Sequence, residues 1–549
     1  MRDFRTSTVY QIYPKSFLDT NGDGLGELRG VTAKLDYLKE LGVDYLWLTP
    51  FFVSPQNDNG YDVADYRQID PRYGTMDDFE ELSREAEKRG LGLMLDMVFN
   101  HTSTEHEWFR KALAGDPKYK DYYIWRKGKP NGEPPTNWES KFGGNAWEYV
   151  PQFDEYYLHL FDKTQADLNW DNPEVRSEVA DVVRFWMAKG VKGFRFDVIN
   201  LISKGAFEDD SQGDGRRFYT DGPRIHQYLR ELNEATFGQD PGIITVGEMS
   251  STSMENCFRY AGAESHELSM VFSFHHLKVD FMGNEKWVLV PADFHKLKDI
   301  LFSWQQGMAA HDAWNAVFWC NHDQPRVVSR FGDEGTYWKQ SAKMLANVIH
   351  CLRGTPYIYQ GEEIGMTNAG FTDLSQYRDV ESLNHFQILR DKGMSEESAY
   401  NILKVHSRDN ARTPMQWDAS PNGGFTAGTP WIGVNPNYTR INAQAQVGDP
   451  DSIFTHYQTL VRLRKEYGVI ACGDFEALDP GHPAVLAYRR RWQGDTLYCI
   501  SNFYPKPCTW TCPEALEGCQ VLLSNYPDAR ASTALELRPY ESLVLLRRS

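Results

Sequence analysis

Apolar positions in this chain come in short runs, each followed by a polar loop and then by a segment of helical period. The runs at 8–14, 44–50 and 91–99 read as strands, and 31–41 and 77–89 as helices closed by Gly42 and Gly90. Polar residues stand just past the carboxyl end of each strand. That repeat predicts a parallel (β/α)8 TIM barrel, an α/β fold whose site lies at the strands' carboxyl ends. From 102 to 169 the rhythm gives way to Trp, Tyr, Gly, Pro and Lys without a period, a length that predicts a small subdomain inserted after the third strand. It resumes with a helix at 173–189, the run 193–198, and strands at 242–249, 267–274, 316–323 and 356–360. The stretch 367–450 reads as irregular and 452–467 as a closing helix. After Cys472, alternating segments at 484–488, 496–503 and 542–547 predict a C-terminal antiparallel β domain. The expected division is a barrel over 1–101 and 170–471, an insert over 102–169 and a β domain over 472–549.

The run Gly193-Phe194-Arg195-Phe196-Asp197-Val198 breaks the apolar rule for a barrel strand. Alternation puts Arg195 and Asp197 on one face, and Phe194, Phe196 and Val198 on the other. The pair is either a buried ion pair that fixes the fold or a catalytic carboxylate kept ionised by its Arg. Two further acids, Glu248 and Asp323, end two other strands, with His101, Arg195 and His322 alongside. Carboxylates so arranged suggest glycoside hydrolysis. Asp197 would attack the anomeric carbon. Glu248, after an apolar strand and with no adjacent cation in sequence, suits the proton donor. Asp323 would hold sugar hydroxyls and stabilise the oxocarbenium-like state.

Composition adds three constraints. Aromatic residues make up 14%, including 16 Trp and 29 Tyr, which fits stacking on sugar rings. The net charge of −18 argues against nucleic acid or an anionic membrane as the main partner, leaving a small-molecule substrate. A monomer is expected. No apolar run reaches membrane-spanning length, 1–10 lacks a signal-peptide core, and the eight Cys are scattered, so a cytoplasmic protein with reduced thiols is expected. Cys508, Cys512 and Cys519 cluster without the His or CxxC spacing of a zinc site. The loop 19–27 presents Asp19, Asn21, Asp23, the Leu25 carbonyl and Glu27 around Gly24, like the first part of an EF-hand loop, but Gly30 stands where the closing Glu belongs. It reads as a structural divalent-cation loop, for Ca2+ or Mg2+, or else as a solvated Asx/Gly turn. No cofactor is expected for catalysis.

His101 in Asp96-Met97-Val98-Phe99-Asn100-His101, the 193–198 run, Glu248 and Asn321-His322-Asp323 together resemble the four signature regions of glycoside hydrolase family 13, the α-amylase family. The resemblance implies a retaining mechanism on α-glucosides, with Asp197 as nucleophile, Glu248 as acid/base and Asp323 as transition-state stabiliser. His101, Arg195 and His322 would serve subsite −1. The 19–27 loop resembles the metal loop of the oligo-1,6-glucosidase branch, with Glu27 where Asp is common. Asp58 and Arg412 resemble the pair that closes its glucose pocket, and Tyr61 its stacking aromatic. Val198 resembles the residue of members that accept α-1,6 or α,α-1,1 bonds. Where that branch is expected to carry acids, this chain has His275 and Lys278. With 213–223, the 272–287 stretch resembles members that cleave a phosphorylated disaccharide. Lys278 and Lys286 would then hold a phosphate, or else form a solvated surface pair. The expected activity is hydrolysis of α,α-trehalose 6-phosphate to glucose and glucose 6-phosphate; the alternative is an oligo-1,6-glucosidase. A catalytically silent barrel serving as a transporter subunit would resemble the family too, but lacks the intact acid set.

Overall fold

The computed structural model describes residues 3–548. Met1, Arg2 and Ser549, at the outer limits of the expected domains, lie outside the described residues. Eight parallel strands form the centre: β1 (Val9–Ile12), β2 (Tyr45–Leu48), β3 (Gly92–Met97), β4 (Gly193–Phe196), β5 (Ile244–Met249), β6 (Met270–Ser273), β7 (Ala316–Val317) and β8 (Thr355–Tyr359). Their order is β6-β5-β4-β3-β2-β1-β8-β7. A parallel bridge between Val271 and Asn315 joins the two ends, so the sheet closes into the expected barrel. The strands are buried throughout and pack in one core with the surrounding helices.

Local chemistry explains the helix ends. Thr75 caps Met76–Lys88 in a capping box with Asp78, and Asn172 caps Pro173–Ala188, whose first residue is proline. The expected 31–41 helix is two helices, Leu28–Ala33 and Leu35–Leu41, ending at Gly42 with φ 93°.

Two expectations change. The 316–323 run pairs only at Ala316 and Val317; the chain then leaves the sheet, and Asn321 Oδ1 accepts the Asp323 N–H in a turn that aims the carboxylate at the site. The 367–450 stretch is not wholly irregular. It carries helices Val380–Asp391 and Glu396–His406, packed through Phe386, Ala399, Ile402 and Leu403. The first of these buries only Ser382 and Phe386, too little for an apolar stripe to show in sequence.

The 102–169 segment holds a three-stranded sheet of Trp125–Arg126, Glu155–Leu158 and Trp147–Val150. It is tied to the barrel rim where Gln165–Asp167 pairs antiparallel with His101–Ser103. The C-terminal region adds a five-stranded antiparallel sheet and a two-stranded one. Arg490, fully buried, fastens it to the barrel by donating to the carbonyls of Cys351 (2.8 Å) and Ile470 (3.1 Å).

Replacing Arg490 by Met strips several buried carbonyls of their donor. The expected cost is about 3 kcal/mol. It should appear as a lower urea midpoint, with the kcat/KM of the folded fraction unchanged.

Candidate active site

Arg195 stands at the centre of the site. It points into the barrel from β4 and is wholly buried. Its Nη1 donates to Asp96 Oδ1 (2.6 Å) and Asp197 Oδ1 (2.7 Å), and its Nη2 meets Glu248 Oε2. The guanidinium also lies against the Trp47 and Tyr61 rings. Burial alone would favour loss of its proton, but Asp96 and Asp197 hold it firmly cationic. Asp96 accepts from Trp47 Nε1 (3.1 Å) and Tyr61 Oη (2.9 Å), and burial pushes its carboxyl up to about 7 against the pull of Arg195.

The contact with Glu248 corrects the expectation that this acid has no cation nearby. In the β4–β5 register Arg195 lies opposite Val246, so side chains 195 and 248 converge across neighbouring strands. One guanidinium therefore touches both carboxyls.

Val198 also departs from expectation. The strand ends at Phe196, and Val198 takes φ 35°, a conformation that a β-branched residue adopts only under strain. It turns away from the Phe194/Phe196 face and lines the catalytic cavity beside Asp197.

That cavity, of about 240 Å³, is lined by Asp58, Tyr61, His101, Asp197, Glu248, Asp323, Lys278 and Lys286, among others. Arg195, His322 and Arg412 stand behind its wall. His322 stacks on Tyr61 with rings parallel to 1° at 5.1 Å, and its Nδ1 meets Gln11 Nε2 at 2.8 Å. Burial lowers it to about 3, so it is neutral at working pH. His101 is fixed by the Tyr61 carbonyl at 3.0 Å and by Asn100 at 3.2 Å. Asn100 is held in turn by Lys204, whose Nζ also meets Asp167 and the Leu201 carbonyl.

The expected Asp58–Arg412 pair is not a direct one. Asp58 meets Arg408 Nη2 at 3.2 Å, whereas Arg412 bonds Asp323 at 2.7 Å and the His322 carbonyl at 3.0 Å. The two arginines sit one helical turn apart, so spacing could not tell which would reach Asp58. Asp379, not singled out from sequence, bonds Arg408 at 2.6 Å and neutralises this cluster from below. Burial raises Asp58 to about 7 despite the arginines. Burial would raise Asp323 too, but His322, Arg408 and Arg412 hold it well below the usual carboxylate range.

The outer end of the cavity is basic. Lys278 and Lys286 both reach it, as does Lys141 from the inserted segment, which sequence reasoning missed. Lys286 is bonded to Glu381 (2.8 Å). Ser251 and Lys278 also line a neighbouring cleft of about 400 Å³, together with Arg216, Arg217, His275 and Lys296 and with no carboxylate in its lining among the described residues. Burial and the nearby Arg216 and Lys278 lower Lys141 to about 7, and burial and Arg216 lower Lys278. Cations from the insert, the loop after β4 and the loop after β6 thus crowd one spot. The second and third loops had a readable signal, the 213–223 stretch and the His275 and Lys278 substitutions; the insert had none.

Comparison with known proteins bears on the acid constellation. Residues 11–473 match the family model of the α-amylase catalytic domain, and 475–544 that of the maltogenic amylase C-terminal domain. The chain belongs to the α-amylase family. This family member is 56% identical to the trehalose-6-phosphate hydrolase of Bacillus subtilis (strain 168), over 98% of this chain and 97% of that one. It is 47% identical to the oligo-1,6-glucosidase of Bacillus cereus, over 98% of each. The crystal structure of Bacillus licheniformis trehalose-6-phosphate hydrolase superposes with a TM-score of 0.95 at 55% identity, covering all of both chains. The α-amylase-family chain is accordingly a glycoside hydrolase.

Asp197→Asn is expected to abolish turnover while circular dichroism and the melting temperature stay near those of the parent. Activity retained at more than a few per cent would remove Asp197 from the nucleophile's role.

Proposed function

We propose that this enzyme hydrolyses α,α-trehalose 6-phosphate to glucose and glucose 6-phosphate with retention of configuration. The observation that carries the reading is the basic cleft, free of carboxylates in its lining, that opens off the acid-lined cavity. A phosphate is dianionic near neutral pH and suits such a cluster. An uncharged glucose would leave these cations crowded together, with Arg216 and Arg217 paired to Asp214 and Asp210 outside the lining. The unsubstituted glucose fills the inner end, between Asp58, Tyr61, His101 and Asp323. The phosphorylated glucose lies across the outer end, its phosphate on Lys278, Lys141 and Arg216. Lys286, already bonded to Glu381, shapes the wall beside it.

The chemistry follows from the charges. Asp197 attacks the anomeric carbon while Glu248 gives its proton to the leaving oxygen. Asp323, ionised by its arginines, faces the positive charge that develops on the sugar ring. Arg195 bonds one oxygen of Asp197, pairs with Glu248 and so fixes the aim of both. Glu248, now ionised, takes a proton from water, which displaces Asp197.

The 19–27 loop supports a structural divalent cation. Glu27 Oε2 is buried without a hydrogen-bond partner, and burial, with Asp19 and Asp23 close by, raises that carboxyl. Both are features a cation would relieve. Asn21, Asp23, Glu27, the Leu25 carbonyl and Asp19 would hold it. As the structure stands, Asp19 accepts the Gly22 N–H (2.7 Å) and Gly24 N–H (2.8 Å) instead. Among the described residues no three His, Cys, Asp or Glu side chains form a metal cage, so the donors would be this mixed set. The ion would brace the loop and take no part in the reaction.

All eight cysteines are free thiols, including the buried Cys320 and Cys351, and among the described residues no helix is long and apolar enough to cross a membrane. The free thiols suit a reducing compartment such as the cytoplasm, and action there on sugar that arrives phosphorylated.

Purified enzyme should release glucose 6-phosphate from α,α-trehalose 6-phosphate far faster than it cleaves trehalose or isomaltose. Lys278→Ala should raise KM for the phosphorylated sugar at least about tenfold, and leave KM for p-nitrophenyl α-glucoside within about twofold. Equal losses on both would refute the phosphate role. Lys141 is cationic only below about 7. The ratio of kcat/KM for the phosphorylated sugar to that for the aryl glucoside should therefore fall as pH rises through 7 to 8.5. A flat ratio would take Lys141 out of the site. Chelation should lower the melting temperature and added Ca2+ or Mg2+ restore it; an unmoved melting temperature would leave the loop a plain turn.

A further inference from the structure

A separate cleft, of about 750 Å³, opens where the inserted segment meets the loop after β4. Its volume lies within the roughly 300–1,000 Å³ of small-molecule sites. It shares no lining residue with the catalytic cavity or with the basic cleft. Tyr123, Trp125, Trp170 and Phe207 give it an aromatic wall. Trp125 is held rigidly, its ring stacked on Phe109 at 5.9 Å and met edge-on by Phe153 and Tyr157. Its Nε1 is buried without a hydrogen-bond partner, although a buried indole N–H usually finds one. Arg126, from the insert, lies over the Phe207 ring at 4.2 Å and bridges the two sides.

The charges of this cleft balance, unlike those at the catalytic mouth. Lys120 pairs with Glu155 at 2.5 Å, and Arg224 with Asp171 at 2.5 Å. Lys204 is spent on Asp167 (2.7 Å), Asn100 (2.7 Å) and the Leu201 carbonyl (2.6 Å). Of the lining cations only Arg126 has no ion pair among the described residues, and its guanidinium already sits over a ring. An anion would find little net field here. A neutral sugar would find what it needs: aromatic surface for its apolar C–H faces, and a few planar polar groups for its hydroxyls. We propose that this cleft is a second, non-catalytic binding site for a neutral saccharide. Asp121, Asn169 and Arg126 take its hydroxyls, and the aromatic wall takes its apolar face. The acids of the catalytic cavity play no part in this binding, so the inference is independent of which glucoside the enzyme cleaves.

The test follows trehalose binding to the full-length enzyme by saturation-transfer NMR. The iminosugar deoxynojirimycin is first added until p-nitrophenyl α-glucoside is no longer hydrolysed, so that the catalytic cavity is filled. Trehalose should still bind. Its affinity should stay within about twofold when salt is raised to about 0.5 M, which screens the attraction of an anion but not that of a neutral sugar. Ala206→Trp adds bulk to the cleft from an exposed position, and Arg126→Ala removes a polar group from its wall. Each should weaken trehalose at least about tenfold, while kcat/KM for p-nitrophenyl α-glucoside in the uninhibited variants stays within about twofold of the parent. Absence of trehalose binding to the inhibited enzyme would overturn the proposal, as would binding that either variant leaves intact. A tenfold loss in salt would make the ligand an anion and overturn it as well.

Discussion

The buried guanidinium of Arg195 is the constraint on which the rest of the site depends. A cation sealed inside a barrel is costly unless acids and hydrogen-bond acceptors surround it. Here Asp96, Asp197 and Glu248 do so from three adjacent strands, with the Trp47 and Tyr61 rings against its faces. The charge that would destabilise the core is thus the tie that sets the positions of Asp197 and Glu248. A shift in any of the three strands would leave a buried charge unmatched, which makes the geometry of the chemistry a condition of folding.

A second network does the same for the opposite wall. Arg408 and Arg412 enter from the segment after β8 and share Asp58, Asp323 and Asp379. Asp323 is kept ionised by His322 and these two guanidiniums, while burial raises Asp58 to about 7 despite them. The outer end tilts the other way, with Lys278, Lys141 and Arg216, the last paired to Asp214, gathered around a lining that holds few acids. One cavity therefore presents a charge-balanced floor for a neutral sugar ring and a cation-rich mouth for an anion. That polarity fits a substrate neutral at one end and phosphorylated at the other.

Several features were readable before any tertiary structure. Strand–loop–helix repetition, acids at or beyond the ends of three strands, the long inserts and the alternating tail all follow from hydrophobic period, which is a local property of the backbone. Arg195 and Asp197 on one face follow from strand alternation alone. Where local geometry was distorted, the reading failed. Val198 was assigned to a face that the positive φ after Phe196 abolishes, and Ala316–Val317 carries the only ladder pairing of a run read as a strand to Asp323.

By itself, then, the sequence determined which residues could do the chemistry and on which elements they ride. Only the tertiary structure decided which charges meet. Arg195 reaches Glu248 across a strand register, Asp58 selects Arg408 over Arg412, and Lys141 joins Lys278 from an insert more than a hundred residues earlier in the chain. Coulomb energy and desolvation depend on distance and burial in space, and spacing along a chain carries neither.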